Sequence, residues 1–275
     1  MVFLITFQDK FEFTATRNQS LVCVGLDIDL SRIPSSDPLD FCRQIISATS
    51  DFVCCYKPNL AFFESIGIEG WKLLEQVVKL IPSDIPVIGD AKRGDIGSTA
   101  SAYAKALFKE FNFDAITINP YMGQDSVEPF VEYQDKGVFI LCKTSNKGSG
   151  DFQDLITETG KPLYMVVAEK AQSWNRNNNI GLVVGATYPE ELKNVRQCCP
   201  DMPILIPGVG AQGGTLTEAV QFGTDAAGRG AIINSSRSIL YASAGIDFAE
   251  AARIATCTMR DEINTVLTEN KWGWD

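Results

Sequence analysis

Short apolar runs rich in β-branched residues recur along the chain. Polar or glycine-rich residues close each run, and a helical pattern follows. The runs are SLVCVGLDID (20–29), DFVCCYKPNL (51–60), IPVIGDAK (85–92), FDAITINPY (113–121), GVFILCKTS (137–145), IGLVVGAT (180–187), MPILIPGVG (202–210) and GAIINSSR (230–237). Amphipathic stretches such as DPLDFCRQIISATSD, GWKLLEQVVKLI, STASAYAKALFKEF and YPEELKNVRQC lie between them, and a long helix, DFAEAARIATCTMRDEINTVL, comes last. A short helix over about 6–18 is expected before the first strand. The longest gap, 146–179, reads as a mobile loop followed by a helix.

Continuous apolar strands alternating with helices predict a parallel sheet covered on both faces. Eight such units in 275 residues predict a single-domain (β/α)8 barrel spanning 1–275, a fold for which ~250 residues is typical. A doubly wound open sheet is the alternative, and it is weakened because no GxGxxG follows the first run.

Composition narrows the chemistry. Hydrophobic residues make up 45% and charged residues 21%, an ordinary globular balance. A net charge of −10 argues against a nucleic-acid or anionic-membrane surface. An anionic small substrate would need a local cluster of cations or backbone N–H groups. The eight cysteines form no CxxC pair and several sit in apolar runs, so they read as buried reduced thiols of a cytoplasmic protein. No basic leader opens the chain and no run is long enough to span a bilayer. Histidine is absent, which excludes a Ser-His-Asp triad and a His general base.

Acid–base chemistry therefore falls to other groups, and DAKRGD (90–95) packs four charges into six residues at a strand end. Active sites of barrels are built at the carboxyl ends of the strands. Asp27 and Asp29 close the first run, Lys57 and Asn59 the second, and Asp90 and Lys92 the third; Ser145 ends the fifth strand and Arg237 the eighth. Each pair is spaced i, i+2, so both members face the same side. Asp29, followed by Leu-Ser-Arg, reads as a loop or helix cap. Asp27, Lys57, Asp90 and Lys92 together read as a site of alternating sign. A lysine between carboxylates stays protonated, which suits a proton donor better than a Schiff-base nucleophile. Asp95 reads equally as a helix-terminus carboxylate, and Thr99 as a surface helix residue.

The last quarter reads as an anion site. PGVGAQGG (207–214) is a glycine-rich loop after the seventh run, and NSSR (234–237) closes the eighth. Loops after strands seven and eight are the usual phosphate position in this fold. Residues 231–236 span roughly 20 Å if extended, so Arg229 is expected at the opposite face as a structural residue. Arg237 is expected to be the phosphate fork.

These segments resemble a known family. DAKRGDIGSTA is similar to the Asp-x-Lys-x-x-Asp-Ile-Gly signature of orotidine 5′-phosphate decarboxylases, and GLDID, KPNLAFFE, CKTSNKGSGDFQ, VVGATYPEEL, PGVGAQGG and NSSRSILYA resemble further segments of that family in the same order. The likeness runs from about 20 to 260, nearest the longer-chain members with KPN and NSSR. It implies a (β/α)8 homodimer that converts orotidine 5′-phosphate to UMP and CO2 without metal or cofactor. By resemblance, Lys57, Asp90, Lys92 and Asp95 form a charge tetrad, with Lys92 protonating C6 and Asp90 beside the departing carboxylate. Asp27 and Lys57 hold ribose hydroxyls, together with Asp95 and Thr99 of the neighbouring subunit. Ser145 contacts the pyrimidine, Pro207 packs near the base, Gln212 links the closing loop to the phosphate and Arg237 binds the phosphate. Asn59, at a position that differs across the family, is counted among the substrate-binding residues. Two rivals stay open: a metal-dependent sugar-phosphate lyase or decarboxylase of the same superfamily, and a catalytically silent barrel that only binds nucleotides or partners.

Overall fold

The computed structural model describes residues 5–210 and 215–274. Its eight strands are β1 (Val22–Leu26), β2 (Cys55–Pro58), β3 (Ile88–Arg93), β4 (Ala115–Ile118), β5 (Gly137–Lys143), β6 (Ile180–Val184), β7 (Ile204–Pro207) and β8 (Ala231–Ser235). The helices are α1 (Phe7–Asn18), α2 (Pro38–Thr49), α3 (Leu60–Glu64), α4 (Ile68–Leu80), α5 (Gly97–Lys105), α6 (Gln124–Val131), α7 (Leu163–Trp174), α8 (Pro189–Cys198), α9 (Leu216–Gly223), α10 (Arg237–Leu240) and α11 (Phe248–Glu269). All strand pairs are parallel, and β1 lies between β2 and β8. Pairing runs on through β7, β6, β5 and β4 to β3. Parallel bridges Tyr56–Val87 and Asn59–Asp90 join β2 to β3 and close the ring. The structure is thus the expected (β/α)8 barrel and not an open doubly wound sheet.

The strands are shorter than the apolar runs, because ladder pairing stops before the apolar character does. Ser50–Phe52 tightens into a 3-10 turn, so β2 starts only at Cys55. Four expected strand-end residues lie beyond their strands. Asp27 follows β1, Ser145 follows β5 and Arg237 opens α10. Asn59 follows β2 and caps α3, accepting the Ala61 N–H at 3.2 Å. In each case the backbone leaves the ladder while the side chain stays near the barrel mouth.

Strand periodicity builds the interior in layers. Cys23, Cys55, Ile88, Ala115, Phe139, Val183, Leu205 and Ile232 form one apolar layer with α1 residues Phe7, Phe11 and Ala15 beneath it. Helix α1 matches the expected opening helix and is held by a Thr6–Asp9 capping box. Its Phe7 ring meets Phe139 edge-on, with centroids 5.6 Å apart. Two residues further along the same strand faces come Lys57, Asp90, Thr117 and Asn234. The apolar floor therefore places the next inward positions at the carboxyl end. The other strand faces pack Val22, Val24, Ile116, Val138, Ile140, Leu182, Ile204 and Ile206 into a second core with the helices.

Arg229 sits at the amino end of β8, as expected. Its N–H donates to Asp225 Oδ1 at 2.8 Å, its guanidinium donates to the Gly273 carbonyl, and it lies 4.1 Å from the Trp274 ring centroid. Among the described residues, no helix is long and apolar enough to cross a membrane.

Gly181 on β6 tests the layer packing. A Cβ there would lie 2.5 Å from Phe139 and 2.7 Å from the Pro203 carbonyl oxygen. Gly181→Ala is expected to destabilise the fold by about 1–3 kcal/mol through overpacking, read as a lower urea midpoint with an unchanged slope.

Candidate active site

The charged run folds onto β3, where Ile88 belongs to the apolar floor and Asp90 and Lys92 continue the same face. Asp90 Oδ2 accepts from Lys57 Nζ at 3.0 Å, and Oδ1 accepts from Lys92 Nζ at 2.6 Å. Thr117 Oγ1 lies 2.8 Å from Asp90 Oδ1, and the Lys92 backbone N–H donates to the same Thr117 oxygen at 3.0 Å. Lys92 has φ +48°, in the left-handed region, at an irregularity where the β3–β4 register shifts between Gly89 and Arg93.

The row is graded in exposure. The side chains of Lys57 and Asp90 are 4% and 9% exposed, whereas that of Lys92 is 48% exposed. Burial pulls Lys57 down, but the carboxylates of Asp90 and Asp27 outweigh it and hold Lys57 above its ordinary value. Burial pushes Asp90 up, yet Lys57 and Lys92 win and hold its carboxyl well below the usual range. Removing one member of such a buried pair typically costs about 3–5 kcal/mol, because a buried charge is left uncompensated.

A cavity of about 420 Å³ opens above this row at the carboxyl end of the barrel. Eight of the expected site residues line it: Asp27, Lys57, Asn59, Asp90, Lys92, Ser145, Pro207 and Arg237. Asp27 Oδ1 is buried and accepts no hydrogen bond among the described residues. The segment bearing it is tied down by Tyr241, whose hydroxyl donates to the Asp27 carbonyl and accepts the Asp29 N–H, both at 2.8 Å. The Asp29 carboxylate instead accepts from Ser31 N–H and Oγ, at 3.0 and 2.6 Å, in a local turn, as expected of a loop cap. Gly208, at φ +97°, follows β7, and Val209, Ser235, Ser236 and Ser238 line the cavity with it.

Two expected residues do not border this cavity. Asp95 precedes α5 and accepts the Ile96 N–H at 2.8 Å, and Thr99 is exposed on the first turn of that helix. Gln212 lies outside the described residues.

The structure adds residues that the sequence reading passed over. Asn146 and Asn234 line the cavity, and Thr117 braces its floor. Lys143 is fully buried, donating to Asp154 Oδ1 at 2.6 Å and lying 4.4 Å from the Tyr188 ring centroid. It secures the segment after β5, together with Gln153 Oε1, which accepts the Thr144 N–H at 2.9 Å. The available signal was register. Thr117 and Asn234 are the polar residues two beyond an inward apolar position, as are Lys57 and Asp90.

Residues 20–253 match the family model described as "Orotidine 5'-phosphate decarboxylase / HUMPS family". An orotidine 5'-phosphate decarboxylase of Herpetosiphon aurantiacus is 55% identical over 254 residues, covering 90% of this chain and 94% of that one. The solved Leishmania donovani OMP decarboxylase superposes with a TM-score of 0.85 at 44% identity, over 95% of this chain and 99% of that one. Leishmania donovani UMP synthase gives a TM-score of 0.87 at 45% identity over 95% of this chain. This chain spans only 56% of that synthase's length.

The lowered Asp90 value sets a pH dependence. Below about pH 4 an unfolded aspartate takes up a proton, while folded Asp90 stays ionised between its lysines. The stability it contributes is present above the ordinary aspartate value and is lost as pH falls towards the lowered one. Between pH 5 and pH 3, wild type should therefore lose more stability than Asp90→Asn, measured by urea unfolding. Equal losses would contradict the buried ion row.

Proposed function

The chain belongs to the orotidine 5′-phosphate decarboxylase / HUMPS family, and from that premise we propose that it converts orotidine 5′-phosphate to UMP and CO2, the last step of UMP biosynthesis. The observation that carries the reading is the half-exposed Lys92 ammonium, held 2.6 Å from Asp90 at the cavity mouth above a buried Lys57. In the reaction the bond between C6 and the carboxylate carbon breaks. CO2 departs, the electron pair stays on C6, and Lys92 delivers a proton there. The developing carbanion meets an ammonium fixed in advance, which stabilises charge without reorganisation. Asp90, ionised beside the substrate carboxylate, favours its departure. Lysines at the ends of β2 and β3 suit an anion better than a dication, so the reading needs no metal or organic cofactor.

The remaining roles follow the cavity. Asp27 Oδ1, a buried acceptor, takes a ribose hydroxyl, because an unmet buried carboxylate oxygen is costly. Lys57 and Asn59 line the same cavity. Ser145 faces the pyrimidine and Pro207 packs near the base. Arg237 holds the phosphate beside the loop after β7, with Gln212 linking that loop to the phosphate. Binding energy from phosphate and ribose, remote from C6, is available to raise the rate of the chemical step.

Asp95 and Thr99 complete the site in a homodimer, each reaching the neighbouring subunit's cavity. Their position outside their own cavity supports this reading, as do the exposed apolar side chains Ile96, Tyr121, Met122 and Phe152 on the segments flanking β3, β4 and β5. A cytoplasmic location belongs to the same proposal and accords with the eight free thiols.

An ultraviolet assay with orotidine 5′-phosphate should show turnover that EDTA leaves unchanged. Lys92→Ala should abolish that turnover while UMP still binds, and appreciable activity in the variant would remove Lys92 as proton donor. A mixture of Lys92→Ala and Asp95→Ala chains, each inactive alone, should regain about a quarter of wild-type activity, since half the dimers are hybrids with one intact site. No recovery after subunit exchange would place Asp95 outside the shared site.

A further inference from the structure

Thr117 links the two groups on which this chemistry rests. It lies on β4, two residues beyond Ala115 of the apolar floor, and its exposure is only 1%. The Lys92 backbone N–H is a fixed donor, and it points to Thr117 Oγ1 at 3.0 Å. That contact occupies a lone pair of the hydroxyl and leaves its single proton for Asp90 Oδ1, 2.8 Å away. Asp90 Oδ1 also accepts the Lys92 ammonium. One neutral side chain is thus bonded at once to the main chain of the lysine and to the carboxylate that orients its ammonium.

Both constraints have a physical use. Lys92 adopts φ +48° within a strand, a conformation that persists only where its surroundings over-determine it. The Thr117 acceptor pins that backbone at the β3–β4 irregularity. Asp90 must hold its plane when a substrate carboxylate of like charge approaches, and the Thr117 proton resists its rotation.

Resting on the decarboxylase reading above, we propose that Thr117 is a positioning residue for proton delivery, acting through Asp90 and the Lys92 backbone without touching substrate. Thr117→Val keeps the shape and removes the hydroxyl, whereas Thr117→Ser keeps the hydroxyl. A hydrogen bond to a charged group should register as about a 10- to 100-fold loss of kcat in Thr117→Val. UMP affinity by titration calorimetry should stay within about twofold, and Thr117→Ser should stay within about threefold of wild-type kcat. Should the valine variant not fold, Thr117→Ala is read in the same way. A valine variant with wild-type kcat overturns this inference alone. So does a serine variant as impaired as valine, or a loss of UMP affinity matching the loss of kcat. Absence of turnover in the wild type itself overturns both this inference and the decarboxylase reading.

Discussion

The Asp90 carboxylate, buried in the barrel mouth and shared between Lys57 and Lys92, is the interaction on which the site depends. Neither buried charge, Lys57 nor Asp90, is tolerable there alone. Burial would neutralise Lys57 and protonate Asp90, and the opposite charges reverse both tendencies. Lys57 and Asp90 stay ionised because each lies within hydrogen-bond distance of an opposite charge. That distance is set by how β2 and β3 are held side by side.

The barrel supplies this spacing through its interior layers. Residues 55 and 88 are committed to an apolar floor closed below by Phe7 and Phe11. Strand periodicity then delivers residues 57 and 90 to the next level up, on the same face. The Asn59–Asp90 bridge draws β2 and β3 together where ladder pairing is sparse. Packing at the closed end and electrostatics at the open end are therefore a single construction, and a slip of one residue in either strand would turn the charges outward.

Within that construction the two lysines have different work. Lys57 lies buried in the cavity floor and serves as a fixed counter-charge. Lys92 stands at the cavity mouth on an irregular, left-handed backbone, where its ammonium meets both Asp90 and the open space. Anchoring extends outward by similar means. Tyr241 ties the Asp27 segment, and Lys143 secures the segment carrying Ser145. Loops supply most of the polar walls, while a rigid interior keeps them in place.

Much of this was written locally. Eight apolar runs with helices between them announced the barrel, and alternation along IGDAK put Asp90 and Lys92 on one face. The rise of an extended strand separated Arg237 at the mouth from Arg229 at the base. Strand ends were less legible, since GLDID or NSSR looks equally extended whether or not a neighbouring ladder continues; hence Asp27, Asn59, Ser145 and Arg237 proved to lie beyond their strands. Thr117 and Asn234 offered only a register signal, two residues beyond an inward apolar position, and with Lys143 they were not read as site residues. Thr117 matters only because β4 lies beside β3, and Lys143 only because Asp154 and Tyr188 fold over it. The sequence by itself determined the periodicities and the charges, which are properties of neighbours along the chain. The tertiary structure decided which charges meet, how deeply each is buried and what braces them, because those depend on contacts between segments far apart in sequence.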